Sequence, residues 1–266
     1  MFDSESYALA VFAAALLMTV MWAVHLRNED ASIIDPIWGP AIWLVGLVHA
    51  VGAGAPLRGA RLLVLLIAAA WALRLALHLT IRHSLTGEDR RYRAMREARG
   101  SDWWWQSLFV VFLLQAVLAS IVALPLVAAC TGPRSLGGLG WVGVLLALAG
   151  FLYEAIADGQ LAAFIHRERN QTSGSEGRDV FDDGLWRFSR HPNYFGEAVV
   201  WWGLGLVGAA GGAWWCLLGP ATITFMLLRV SGVTMTEADI ADRRPAYRDY
   251  VMRTNAFFPG TPKARG

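Results

Sequence analysis

Seven long apolar runs dominate the sequence and constrain its fold more than any other feature. Their bounds are about 7–26, 33–54, 61–81, 103–130, 139–164, 197–218 and 220–233. The first six reach the roughly 20 residues that a helix needs to cross the hydrocarbon core of a bilayer. Hydrophobic residues make up 56% of the chain and charged residues 17%, so a soluble fold could not bury this much apolar surface. The sequence predicts an all-α integral membrane protein, with seven transmembrane helices forming a single domain over residues 1–266.

The first two of these runs have distinctive residues before or within them. The first has no basic segment before it and is followed by further runs, so we interpret it as a span and not as a cleaved signal peptide. The second contains Asp35, Pro36, Gly39 and Pro40, and this cluster predicts a break near its start.

Basic residues lie almost entirely on one side of the predicted spans. Of the 23, 18 fall in the alternate connections 26–32, 82–102 and 165–196 and in the tail 234–266. Cytoplasmic loops carry such an excess of Lys and Arg. The pattern predicts an outside N-terminus and a cytoplasmic tail, and we expect the bacterial inner membrane. Lys263 is the one lysine among these residues, a bias that genome composition or phosphate binding could explain.

The net charge of the chain is +2, so no overall basic field marks it as a nucleic-acid binder. We therefore expect no nucleic-acid partner. The partner that the composition favours is membrane lipid. Nothing in the sequence indicates an obligate protein partner or a metal-binding spacing.

Polar residues inside or beside the spans are the first candidates for a functional site, because lipid cannot satisfy them. Residues four apart share a helix face. The sets with this spacing are Arg74, His78 and Arg82; Glu154 and Asp158; Asn193 and Glu197; and, at two steps of four, Arg229 and Glu237. We expect them to converge on one another or on a polar ligand, and inter-helix pairing without a ligand is the alternative.

The segment 184–197 is the most informative stretch. Pro192 suits the first turn of a helix, whose free amides would lie near Arg187, Arg190 and His191. Such a helix start favours an anion, and Glu197 could accept from a sugar hydroxyl or a nicotinamide amide. The alternative is that the arginines face lipid headgroups.

The polar tail over 234–254 predicts a helix broken at 244–245, either an amphipathic surface helix or a lid that clamps phosphates.

The sequence Arg190-His-Pro-Asn-Tyr-Phe-Gly-Glu197 follows Gly184-Leu-Trp and precedes Leu228-Arg229 and Arg244-Pro245-x-Tyr-x-x-Tyr250. Together with 28–38, 87–92 and 154–160, these segments resemble the steroid 5-alpha-reductase family, most closely its bacterial multi-span branch. The likeness covers nearly the whole chain. The Arg-His-Pro-Asn-Tyr-x-Gly core is also similar to sterol Δ14/Δ7 reductases and, more loosely, to isoprenylcysteine carboxyl methyltransferases.

The resemblance implies NADPH-dependent reduction of the Δ4 double bond of 3-oxo-steroids, or of a similar lipophilic enone. Hydride would reach C5 in an intramembrane cavity whose cofactor end faces the cytoplasm. By resemblance, the NADPH ligands are Asp158, Asn193, Glu197, Arg229 and Arg248. The predicted cofactor site further includes Glu154, Arg167, Arg178, Arg187, His191, Tyr194, Glu237 and Tyr247. Glu154 and Glu237 stand where the family commonly has Asn and Tyr.

The family also places a Glu of the second span and a Tyr of the third against the substrate carbonyl. Asp35 is the best match to the first, and Arg74 and His78 are candidates on the third span. A buried carboxyl there would stay protonated and donate to the developing enolate. Two other functions stay open: an S-adenosylmethionine-dependent methyltransferase for a lipophilic acceptor, and a non-catalytic sterol- or lipid-binding protein. The many arginines favour a cofactor with three phosphates.

Overall fold

The computed structural model describes residues 2–54, 56–132, 135–170, 180–230, 232–237, 240 and 246–263, with the side chains of 169 and 170 excepted. All regular structure in these ranges is helical. The α-helices are α1 Ser4–Asn28, α2 Asp35–Gly52, α3 Ala60–Thr86, α4 Arg90–Arg99, α5 Trp103–Ser107, α6 Leu114–Val122, α7 Leu124–Thr131, α8 Gly138–Asn170, α9 Pro192–Ala210, α10 Leu218–Phe225, α11 Val233–Glu237 and α12 Tyr247–Arg253. Short 3₁₀ turns (Ala31–Ile34, Gly100–Asp102, Gly184–Arg187, Trp214–Leu217) and π segments (Leu108–Leu113, Met226–Val230) join or extend them.

Six helical segments among the described residues are long and apolar enough to cross a membrane. They are Ser4–Asn28, Ala31–Gly52, Ala60–Thr86, Arg90–Val122, Gly138–Glu168 and Trp214–Glu237. They match the predicted spans one to five and seven, which confirms an all-α membrane protein. The number of seven crossings and their orientation stay predictions, because α9 is not one of the six.

The helix of the predicted sixth span begins at Pro192, so the start that this proline predicted is confirmed. The apolar run 197–218 misplaced the other end, since α9 ends at Ala210. Pro192 lies in the first turn, where the missing N–H costs no hydrogen bond. After Ala210 the backbone turns through Gly212, whose φ of 88° is readily reached by glycine.

The predicted break in the second span does not occur. Pro36 occupies the first turn of α2, and the helix continues through Pro40 to Gly52. The pattern misled because Pro36 falls at the one place in a helix that favours proline. Pro40 removes a backbone donor without ending the helix.

The chain divides into two compact units: unit 1 comprises Met1–Val142 and Leu204–Gly219, and unit 2 comprises Gly143–Gly203 and Pro220–Gly266. In unit 1, α2 packs against both α1 and α3 and also touches α6 and α7. Gly46 of α2 allows the close approach of α7, since a Cβ there would lie 2.7 Å from Leu126 Cβ. Met18, Ile42, Trp71 and Phe112 are fully buried in this unit.

In unit 2, α8 and α9 pack through small residues. A Cβ on Gly196 would lie 2.7 Å from the backbone nitrogen of Glu154, and one on Gly150 would lie 2.6 Å from that of Val200. Gly203 makes a similar close approach to Ala147. Small residues at such contacts let membrane helices bring their backbones together. The consequence is that polar side chains of α8 and α9 lie within reach of one another.

Candidate functional site

Four of the predicted site residues lie on α8 and α9, the two closely packed helices, and we call them the acid–amide cluster: Glu154, Asp158, Asn193 and Glu197. Asn193 Nδ2 donates to Asp158 Oδ1 at 3.1 Å. Glu154 lies across from Gly196, the residue before Glu197. The three acids are 2%, 6% and 7% exposed, so the cluster is buried. Of the expected approaches between these two pairs, the one from Asn193 to Asp158 is present.

The chemistry of this cluster is that of a hydrogen-bond acceptor. Three carboxyl groups and one amide oxygen supply acceptor atoms in a low-polarity setting. Asn193 Oδ1 is buried and makes no hydrogen bond within the part of the chain that the structure describes. A buried polar atom of this kind calls for a partner. A ligand with N–H or O–H groups would satisfy it.

The turn before α9 is fixed to α8 beside this cluster. Trp186 Nε1 donates to the carbonyl of Ala157 at 3.0 Å, and the backbone N–H of Leu185 donates to Gln160 Oε1 at 3.0 Å. Gly184, at φ 58°, begins the turn. The chain then reaches Pro192 with its direction set by these contacts.

A second group of polar side chains, the Glu237 network, lies at the start of α9. Arg190 pairs with Glu237 through two hydrogen bonds of 2.7 and 2.9 Å. His191 Nε2 lies 2.9 Å from Glu237 Oε1, and the Tyr247 hydroxyl donates to the same oxygen at 3.3 Å. Glu237 is thus the anion that accompanies Arg190 and His191, where the sequence predicted room for a ligand anion.

Electrostatics agree with a tightly held pair. Burial opposes the charge of Arg190, but its hydrogen bonds to Glu237 outweigh that effect and raise the pKa of the guanidinium. Burial also raises the pKa of the Tyr247 and Tyr250 phenols. Tyr250 donates to the carbonyls of Trp186 and Ser189 and so attaches α12 to the turn before α9.

The remaining predicted cofactor residues divide between this network and the surface. Tyr194 stacks on His191, with ring centroids 5.2 Å apart. Four arginines of the predicted cofactor set have exposed side chains: Arg167, Arg187, Arg229 and Arg248. Arg229 also borders an open apolar groove beside Trp202 and Phe225. Arg178 lies outside the described residues.

The predicted catalytic residues belong to unit 1. Asp35 accepts hydrogen bonds from the Tyr92 hydroxyl at 2.6 Å and from Arg91 at 3.1 Å. Arg74 and His78 lie half-buried on α3. Tyr92 was not predicted as a site residue. It stands in the segment 87–92 that carries part of the family resemblance, so a signal for it was present.

Asp35 belongs to a wider set of charges at the end of α3. Arg91 also binds Asp89 through contacts of 2.9 and 3.1 Å, and the backbone N–H of Asp89 donates to Ser32 Oγ at 2.7 Å. Burial acts to raise the pKa of Asp89, but the bonds from Arg91 prevail and lower it. This set ties the start of α2 to the start of α4.

Fold and site define an all-helical membrane protein with a buried acid–amide cluster on two closely packed helices. The chain belongs to the family described as "Protein of unknown function (DUF1295)", whose model matches residues 21–254. It is also similar to the uncharacterized protein C594.04c of Schizosaccharomyces pombe, at 23% identity over 288 positions that cover 97% of this chain and 81% of the yeast protein. No solved structure matches the chain.

Proposed function

We propose that this protein is an NADPH-dependent reductase of the Δ4 double bond of 3-oxo-steroids, or of a similar lipophilic enone. The observation that carries the proposal is the amide of Asn193, which donates to Asp158 and whose Oδ1 has no partner in the described part of the chain. The carboxamide and ribose hydroxyls of a nicotinamide nucleotide are donors that the Asn193 oxygen could accept from. The cofactor, when bound, supplies the hydride for the reduction.

The roles of the residues follow from their chemistry. Asp158, Asn193 and Glu197 accept hydrogen bonds from the nicotinamide and ribose end, and Glu154 lies beside them. The exposed arginines Arg187 and Arg229 bind phosphate oxygens, for which the guanidinium fork is well suited. Arg248 and Arg167 are further candidates for the same task. Glu237 and Arg190 hold one another and with His191 fix the start of α9.

For the substrate carbonyl, unit 1 offers the pair of Asp35 and Tyr92. The phenol donates to Asp35, which also accepts from Arg91, so in this arrangement Asp35 is an acceptor and not the protonated donor that the sequence predicted. Tyr92 takes the donor's role in the proposal: its O–H turns from Asp35 Oδ1 to the carbonyl oxygen when the substrate binds. Arg74 and His78 stay candidates for the same carbonyl.

The first experiment measures cofactor binding to the detergent-solubilised protein by energy transfer from its tryptophans to NADPH. We expect Asn193→Ala and Glu197→Gln to weaken binding about tenfold, because each removes a hydrogen bond worth about 1.5 kcal/mol. Glu97→Gln is the matched control, since Glu97 is an exposed residue of unit 1 with no role in the proposed cofactor site. Wild-type affinity in both cluster variants would overturn the site assignment.

The second experiment tests the reaction. The protein is incubated with NADPH and a panel of lipophilic enones that includes progesterone and testosterone, and products are analysed by mass. A gain of two hydrogens supports the proposal. A methyl gain with S-adenosylmethionine would instead establish the methyltransferase function, and no product with either cofactor would leave the lipid-binding alternative.

A further inference from the structure

The C-terminal segment of unit 2 folds back onto the turn before α9 and encloses a polar groove. The backbone N–H of Lys263 donates to the carbonyl of Arg253 at 2.9 Å, and that of Gly260 donates to the carbonyl of Phe188 at 2.9 Å. The groove has a volume of about 420 Å³. Its charged lining consists of Arg187, Arg253, Lys263, Asp182 and Asp183.

The charges of this groove are arranged in favour of an anion. Arg253 is paired with Asp182 at 3.1 Å, which balances those two. Arg187 and Lys263, both exposed, then face the single carboxylate of Asp183. The three basic residues come from separate segments that backbone hydrogen bonds fix in place, so their approach belongs to the fold.

The groove adjoins the element that supports the acid–amide cluster. Arg187 directly follows Trp186, whose indole is bonded to Ala157 next to Asp158. Thr254, which also lines the groove, donates to the carbonyl of Arg187 at 3.4 Å. One turn of chain therefore borders both the buried acceptors and the basic groove.

We infer that this groove binds a phosphate monoester, namely the 2′-phosphate of NADPH, and so makes the protein select NADPH over NADH. The inference rests on the proposed function. A guanidinium and an ammonium from separate segments suit the oxygens of a phosphate monoester, and the volume accommodates that phosphate with its ribose. Arg187 and Lys263 bind the phosphate, and Asp183 limits its affinity by repulsion.

The lone lysine of the chain gives a direct test. Lys263 is modified with an amine-reactive ester in the full-length protein, and its peptide is followed by mass spectrometry. We expect 2′,5′-ADP and NADPH, which carry a phosphate monoester, to slow this modification at least fivefold, and adenosine and NADH, which carry none, to leave it unchanged. Equal rates with all four ligands would overturn the inference. Protection by phosphatidic acid vesicles but not by 2′,5′-ADP would overturn the assignment to a nucleotide.

Variants test the same point through affinity. Lys263→Gln and Arg187→Gln should each lower the ratio of NADPH to NADH affinity about tenfold, while Asp183→Asn should raise it. Arg27→Gln, an exposed arginine of unit 1, is the control and should change nothing. An unchanged ratio in both cation variants would also contradict the inference.

The two proposals fail in different ways. If the wild-type protein binds NADPH but Lys263 is unprotected, and the variants leave the ratio of NADPH to NADH affinity unchanged, the assignment of the groove is wrong and the proposed function stands. If NADPH does not bind while 2′,5′-ADP still protects Lys263, the groove stands as a phosphate site and the proposed function is wrong.

Discussion

The acid–amide cluster and the Glu237 network of unit 2 are built from similar residues but differ in how their hydrogen bonds are completed. In the network, one carboxylate receives Arg190, His191 and Tyr247, so positive and negative groups match. In the cluster, carboxyl groups gather around an amide whose oxygen has no partner among the described residues. A complete set of hydrogen bonds stabilises the fold. The Asn193 oxygen, which has no partner among the described residues, is the acceptor that the proposed function assigns to a ligand.

The largest effect on stability should come from breaking the Glu237 network. Glu237→Ala leaves Arg190, only 8% exposed, without its counter-charge. We expect the free energy of unfolding to fall by about 3 kcal/mol, the cost of removing one partner of a buried ion pair. Equilibrium unfolding in mixed detergent measures it. Asp182→Ala, which breaks the more exposed pair with Arg253, is the control and should cost less than about 1 kcal/mol. Equal losses would remove the distinction between the two pairs.

A smaller effect should follow from pushing apart the helices that carry the acid–amide cluster. Gly196→Ala places a methyl group 2.7 Å from the backbone nitrogen of Glu154, so α8 and α9 must separate. We expect a loss of stability of about 2 kcal/mol together with weaker NADPH binding. Gly159→Ala on α8 is the matched control, because a Cβ there meets open space. The cluster would not depend on this contact if both variants bound NADPH alike.

The smallest effect concerns pH and the charges around Asp89 in unit 1. The folded pKa of Asp89 lies below its ordinary value of 3.8. Ionised Asp89 therefore stabilises the fold above that value, and the contribution is lost as the pH falls through the folded pKa. Asp89→Asn should lower the free energy of unfolding at neutral pH by about 1 kcal/mol, because the ionised carboxylate that binds Arg91 is lost. The difference from the wild type should disappear below the ordinary pKa of 3.8, so the acid limb of the variant is flatter. An unchanged acid limb in the variant would show that other carboxyl groups control it.

The helical architecture could be predicted from the sequence because apolar runs of bilayer length have few other solutions. Helix ends were predicted less well. Pro40 looked like a break, and nothing in the apolar pattern revealed that α9 ends before Gly212. Such ends depend on local backbone geometry, which hydropathy does not report.

The contacts within the candidate sites could likewise be predicted only in part. Asp158 and Asn193 could be predicted to meet, since a spacing of four and the family resemblance both indicated their faces. The bonds of Glu237 to Arg190 and of Asp35 to Tyr92 join residues 47 and 57 positions apart. Charge spacing carries no information on such pairs, because either partner could equally well have faced water or a ligand.

Helix α8 has a mechanical consequence of its own. Its 33 residues make a rod of about 50 Å, whereas the hydrocarbon core of a bilayer is about 30 Å thick. The helix must therefore tilt or project from the membrane, and lipids of different acyl length will favour different angles. Because Glu154 and Asp158 are fixed to that rod, bilayer thickness sets the depth of both carboxyl groups. Under the proposed function, lipid composition would therefore control how deep in the bilayer the cofactor meets these two residues.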